Sequence, residues 1–157
     1  VLGYRAGWVS GNRVRAGIVD FGFRGVPEAR LHAAGAAFAR DVLPGVLRED
    51  AMARLRWHRE RGDAVAVVSG GLETYLSHWC EAHGVDLLCS RLEVRDGRMT
   101  GRYHGPQCVG EEKARRIRER YDLPRYTRIH AYGDTHEDHA MLGLAHEAWY
   151  RGRPWRR

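Results

Sequence analysis

Residues 64–72 read Ala-Val-Ala-Val-Val-Ser-Gly-Gly-Leu. Residues 64–68 are all apolar, and three of them are valines, as in a strand covered on both faces. Ser69 and two glycines then carry the chain onto a predicted helix over 72–83, where Gly84 suits a left-handed C-terminal cap. The apolar run 85–89 is the next strand. Downstream the rhythm returns: a charged helix over 110–121, a core strand over 128–132 ending at Gly133, a helix over 135–144 and a short strand over 148–150. Strands alternating with helices imply an α/β fold with a parallel sheet and helices on both faces. In such sheets ligands gather at the carboxyl ends of the strands. Asp96-Gly97, flanked by 92–94 and 99–101, is a hairpin signal set into this pattern.

Upstream of residue 64 the chain reads as helical. Pro27 opens an Ala-rich helix over 27–43, with Leu31, Ala34, Phe38 and Val42 forming an apolar face. Pro44-Gly45 breaks it, and an amphipathic helix over 48–61 follows, with Met52, Leu55 and Trp57 facing inward. The expected division is a helical unit at 1–43 and an α/β unit at 44–157. The chain has 157 residues, 43% of them hydrophobic and 29% charged, enough for a folded core. No window approaches the ~20 apolar residues that span a bilayer, so no stable membrane insertion is expected. Three cysteines, Cys80, Cys89 and Cys108, offer no disulfide framework or CxxC knuckle, and a cytoplasmic location is expected.

The net charge is +6. The arginines are spread along the chain and clustered only in the tail at Arg151, Arg153, Arg156 and Arg157, so no nucleic-acid partner is expected. Of 26 basic residues only Lys113 is a lysine. A flexible ammonium differs from a planar guanidinium as a point charge for an anion.

Three places carry candidate chemistry. Ser69 and Gly70 follow a strand end, where a hydroxyl and close backbone approach suit a phosphate; the same residues also suit a plain turn with Ser as a helix cap. Asp134 lies just past Gly133, and Asp138 stands one helical turn on. Two hard carboxylates at that spacing suit Mg²⁺, and acids at a helix start are the ordinary alternative. His136 and His139 raise zinc, but no third ligand follows at a sensible spacing. Lys113 opens the helix after Gly110, where it would neutralise a bound phosphate.

Taken in order, VVSGG at 67–71, Lys113 in GEEK, and GDTHEDHAML at 133–142 resemble the second, third and fourth motifs of the haloacid dehalogenase superfamily. The likeness is to its phosphoserine-phosphatase-like branch (subfamily IB) and runs from about residue 44 to the end. The resemblance implies a Rossmann-like core under a helical cap and a Mg²⁺-dependent phosphatase acting through a phospho-aspartyl intermediate. It assigns Ser69, Gly70 and Lys113 to the substrate phosphate, Ser69 and Lys113 to catalysis, and Asp134 to the metal. Asp138 stands with the metal or binds Lys113. The implied substrate is a small phosphorylated amino acid or amino alcohol, such as phosphoserine or histidinol phosphate, or a lipid phosphate. Arg5, Arg13, Arg15 and Arg24 would read a substrate carboxylate or lie on solvated helix faces. Val1, Leu2, Tyr4 and Trp8 make the cap entry apolar.

One motif departs from the family. Members carry a nucleophilic Asp and a second Asp two residues later on their first strand, and no D-x-D occurs in these 157 residues. The first central strand, between 64–68 and 128–132, is therefore expected to be missing, through truncation before Val1. An open slot or two exposed strand edges would result. Without the nucleophile these residues are expected to be inactive. The alternative is a non-catalytic phosphate- or metal-binding relic of the fold.

Overall fold

The computed structural model describes residues 11–156. Val1, Leu2, Tyr4, Arg5 and Trp8, singled out above, lie outside the described residues, as does Arg157. Four helices come first: α1 (Gly11–Phe23), α2 (Glu28–Asp41), α3 (Leu43–Val46) and α4 (Glu49–Glu60). Then follow β1 (Ala66–Leu72), α5 (Glu73–His83), β2 (Asp86–Ser90), β3 (Leu92–Arg95), β4 (Arg98–Tyr103) and α6 (Glu111–Arg120). The chain closes with β5 (His130–Gly133), α7 (His139–Leu142), β6 (Glu147–Tyr150) and β7 (Arg153–Pro154), with 3₁₀ turns at Leu123–Arg125 and His136–Asp138.

The expected α/β architecture is present, with local differences. The first strand does not stop at Val68 but runs to Leu72. Its register with β2 holds from Ala66↔Asp86 to Ser69↔Cys89, then slips so that Leu72 meets Ser90. Gly70 and Gly71 are thereby left without ladder partners. α2 ends at Asp41, ahead of Pro44 as expected, and a separate single turn, α3, forms with Pro44 in its first turn. The helix expected over 135–144 is divided into a 3₁₀ turn and the single turn of α7. Asp96 and Gly97 both take positive φ (51° and 69°), the twist-matched turn of a two-residue hairpin. Gly84 caps α5 in the left-handed region.

Among the described residues the parallel sheet is in two pieces. β1 pairs only with β2, and β5 only with β6, which in turn pairs antiparallel with β7. No strand among the described residues joins β1 to β5. Each piece has its own apolar centre. Trp79, Cys80 and Ala39 pack with Met52, Leu55, Val67 and Leu87 beside β1. Ala131, Met141 and Leu142 pack with Ile117 and Ala148 beside β5, and Val68 of β1 reaches across to this second cluster.

Met52 and Leu55 of α4 pack inward as expected, but other helix positions differ. In α2 the buried residues are Gly35 and Ala39, while Phe38 and Val42 are exposed. A Cβ on Gly35 would lie 1.8 Å from the Thr74 carbonyl oxygen, so α2 presses its backbone onto the start of α5 where only glycine fits. In α4 the buried residue is His58, and Trp57 is partly exposed. The N-terminal helices also meet the hairpin. Pro27 bridges Arg98 of β4, and Gly25 N–H donates to the Met99 carbonyl at 2.8 Å.

Candidate functional site

The site begins with the glycines. A Cβ on Gly70 would sit 2.8 Å from Val109 Cγ1, and one on Gly71 2.4 Å from the Tyr75 hydroxyl. The 70–71 backbone therefore runs flush against its surroundings. Ser69 Oγ accepts a hydrogen bond from Gly71 N–H at 3.0 Å, which folds the segment into a tight turn at the β1 end. The hydroxyl proton of Ser69 remains available to a ligand.

Gly110 precedes α6 at φ 56°, ψ −130°, a conformation that residues with a Cβ rarely adopt. Its N–H donates to the Glu137 carbonyl at 3.0 Å, which ties the start of α6 to the 3₁₀ turn after β5. One turn into α6, Lys113 points inward and is 7% exposed. Its Nζ donates to the Val68 carbonyl at 3.0 Å and to Asp138 Oδ1 at 2.5 Å. A single ammonium thus joins the carboxyl ends of both sheet pieces. An ammonium has three N–H donors, so one remains for a ligand.

Asp138 is 5% exposed. Its Oδ2 accepts from Asp134 N–H at 3.1 Å, Thr135 N–H at 2.9 Å and Thr135 Oγ1 at 3.0 Å, a reciprocal cap on the 3₁₀ turn. Burial alone would raise its pKa. The Lys113 ammonium and the two N–H groups outweigh burial, and the carboxyl is held below its ordinary value. Gly133 makes this packing feasible, since a Cβ there would lie 2.5 Å from Asp138 Cβ.

Among the expected site residues, then, Lys113 and Asp138 are in direct contact, with Ser69 and Asp134 adjoining their partners in the chain. Of the two roles expected for Asp138, the structure shows its contact with Lys113. Both its oxygens accept from donors and it is buried, and Oδ1 holds the Lys113 ammonium. Asp134 differs: it is exposed, and its carboxylate accepts no hydrogen bond among the described residues. It is the carboxylate open to a hard cation. Among the described residues no group of three or more His, Cys, Asp or Glu side chains is placed to hold a metal. His136 and His139 are both exposed. For Mg²⁺, which keeps much of its water shell, Asp134 fits as a single protein ligand.

Sequence reading missed one contact at the rim. Arg15 of α1 donates through Nη2 to Glu137 Oε1 at 2.9 Å and through Nε to Gln107 Oε1 at 2.8 Å. The first helix is thereby bound to the turn that carries Asp134 and Asp138. Of the other arginines expected there, Arg13 is exposed and Arg24 pairs with Asp20 on its own helix. Two cavities lie away from these residues. One of about 290 Å³ sits between α2, the α5 start and the hairpin, lined by Glu28, His32, Glu73 and Arg91. One of about 330 Å³ lies beside Trp155 and Leu142. No helix among the described residues is long and apolar enough to cross a membrane.

Comparison with known proteins gives three kinds of likeness. The family model of haloacid dehalogenase-like hydrolases matches residues 7–143. Protein CicA of Caulobacter vibrioides is 33% identical over 147 residues, covering 90% of this chain and 66% of that protein. A phosphoserine phosphatase of Archaeoglobus fulgidus is 36% identical over 102 residues, 63% of this chain and 30% of that enzyme. The chain therefore spans just under two thirds of the first relative and about a third of the second. In three dimensions, a protein of unknown function from Bordetella pertussis superposes with a TM-score of 0.80 at 24% identity. That match covers 93% of this chain and 68% of that one.

Proposed function

The chain belongs to the haloacid dehalogenase-like hydrolase family, and on that premise we propose that its site is the phosphate- and metal-holding part of a Mg²⁺-dependent phosphomonoester hydrolase. The observation that carries the reading is Lys113: a buried ammonium fixed by Val68 and Asp138, with one N–H donor left over. In this reading the donor meets a phosphate oxygen. The Ser69 hydroxyl and the Gly70 backbone hold other oxygens of the same group. Asp138 aims Lys113 and supplies the counter-charge that a buried ammonium needs. Asp134 would hold Mg²⁺, which supplies charge neutralisation for the phosphate when bound. Phosphoryl transfer depends mainly on positioning and charge stabilisation, and these groups are built for both.

The helices up to residue 43 serve in this reading as part of a cap over 44–157, with Arg15 fastening it at the rim. A small phosphorylated amino acid or amino alcohol is the proposed substrate class, supported by the relation to a phosphoserine phosphatase. No nucleic-acid partner is proposed. The D-x-D pair that would supply an attacking aspartate is absent from these 157 residues. We infer that by themselves they bind phosphate without hydrolysing an ester.

Calorimetric titration of the purified chain with orthophosphate, with and without Mg²⁺, tests the reading. Binding is expected to weaken at least tenfold in Ser69→Ala, which disturbs little packing, and in Lys113→Ala. Undiminished binding in both variants overturns it. Turnover of p-nitrophenyl phosphate by the unmodified chain would overturn the inferred inactivity.

A further inference from the structure

β5 has an unusual support. It is four residues long and hydrogen-bonded on one side only among the described residues, to β6. A short strand with one open edge is poorly fixed by its ladder. Yet its end must be held to within a fraction of an ångström, because Gly133 lies flush against Asp138. A side-chain chain from α4 and the turn after it fastens one face of the strand. Asp63 Oδ2 lies 2.8 Å from His58 Nδ1, and His58 Nε2 lies 2.9 Å from the Tyr132 hydroxyl. His58 is 8% exposed and makes one bond at each ring nitrogen.

The direction of these bonds follows from their chemistry. A carboxylate accepts only, so Nδ1 carries a proton and donates to Asp63. In the neutral ring Nε2 is then an acceptor, and the Tyr132 hydroxyl donates to it. The phenol ring is held as well: it stacks on Trp149 at 4.9 Å with 13° between planes. The guanidinium of Arg54 lies 6.0 Å from its centroid. Tyr132 is the residue before Gly133 and two before Asp134. It therefore adjoins the Gly133–Asp138 contact and the two amides that hold Asp138 Oδ2.

We propose that His58, oriented by Asp63, is a positioning residue that acts through the Tyr132 hydroxyl to set the end of β5, and with it Asp134 and the Asp138–Lys113 pair. It touches no substrate. The proposal rests on the reading of Asp134 and Lys113 as the phosphate and metal groups, but its local effect can be measured independently of that reading.

The first measurement is amide hydrogen exchange by NMR in the full chain. Tyr132→Phe removes one oxygen and keeps the stacked ring. The Asp134 and Thr135 amides are expected to exchange at least tenfold faster in Tyr132→Phe, while amides of the β1–β2 ladder such as Leu88 keep their rates. His58→Leu should reproduce the effect. His58→Gln, which retains an acceptor at the reach of Nε2, should recover much of the protection. A merely structural role would slow or speed all these amides together and would show no rescue. The second measurement is orthophosphate and Mg²⁺ titration of the same variants, expected to weaken Mg²⁺ binding severalfold in Tyr132→Phe. Unchanged Asp134 and Thr135 exchange in Tyr132→Phe overturns the proposal. If the unmodified chain binds no orthophosphate, the phosphatase reading fails, and the exchange result still decides the role of His58.

Discussion

Replacing Asp138 by asparagine probes the centre of the site. The carboxylate accepts from four donors: Lys113 Nζ, the Asp134 and Thr135 amides, and the Thr135 hydroxyl. Asparagine keeps the shape but has one acceptor and one donor end. In one orientation its NH₂ faces the Lys113 ammonium. In the other it faces the three donors on Oδ2. Either way a buried ammonium loses its counter-charge. Breaking such a pair costs about 3–5 kcal/mol. For a chain of this size each kcal/mol moves Tm by about 2–4 °C, so the loss is roughly 6–20 °C. Thermal unfolding followed by far-ultraviolet circular dichroism reads this directly. The acid limb gives a second signature. Because the folded-state pKa of Asp138 is lowered, its contribution is complete above its ordinary value of 3.8 and drains away as pH falls through the folded value. Asp138→Asn should flatten that part of the stability–pH curve. In a double-mutant cycle, Lys113→Met added to Asp138→Asn should cost clearly less than the two single losses together. A Tm change under about 3 °C, or strict additivity, would refute the argument that the pair is buried and mutually dependent.

Two further outcomes test the surrounding fold. Gly35→Ala places a methyl 1.8 Å from the Thr74 carbonyl oxygen, which is backbone and cannot swing away. The variant is expected to lose about 1–3 kcal/mol or more by overpacking, read as a lowered urea midpoint with unchanged slope. The three free thiols are all buried, and burial pushes Cys80 up to about 11 and Cys89 to about 12, with Cys108 also raised. At pH 8 none should react rapidly with Ellman's reagent in the folded chain, and all three should react in guanidinium chloride. Fast labelling of a folded thiol would contradict this packing.

The site was legible where its chemistry is written in contiguous residues. Ser69 and Gly70 close an apolar run, Lys113 opens a helix after Gly110, and Asp134 and Asp138 follow Gly133. Such short patterns survive translation into structure because backbone geometry fixes the positions of neighbours in the chain. Rotation of the helices was less legible. Periodicity placed Met52 and Leu55 inward correctly, but also Trp57 on α4 and Phe38 on α2, where the neighbouring His58 and Ala39 are buried. A pattern of apolar residues defines a face only to within one position, and the partner it meets chooses among the neighbouring rotations.

By itself the sequence determined the alternation of strands and helices, the Asp96-Gly97 hairpin, the Gly84 cap and the lack of a D-x-D pair. Each of these depends on local propensity or on a plain count. Only the tertiary structure decided that Asp138 contacts Lys113, that Arg15 reaches Glu137 across the chain, and that His58 reaches the Tyr132 hydroxyl. Those contacts join residues 25 to 122 positions apart. Their distances are set by how the sheet pieces and helices pack, and one-dimensional spacing carries no record of that.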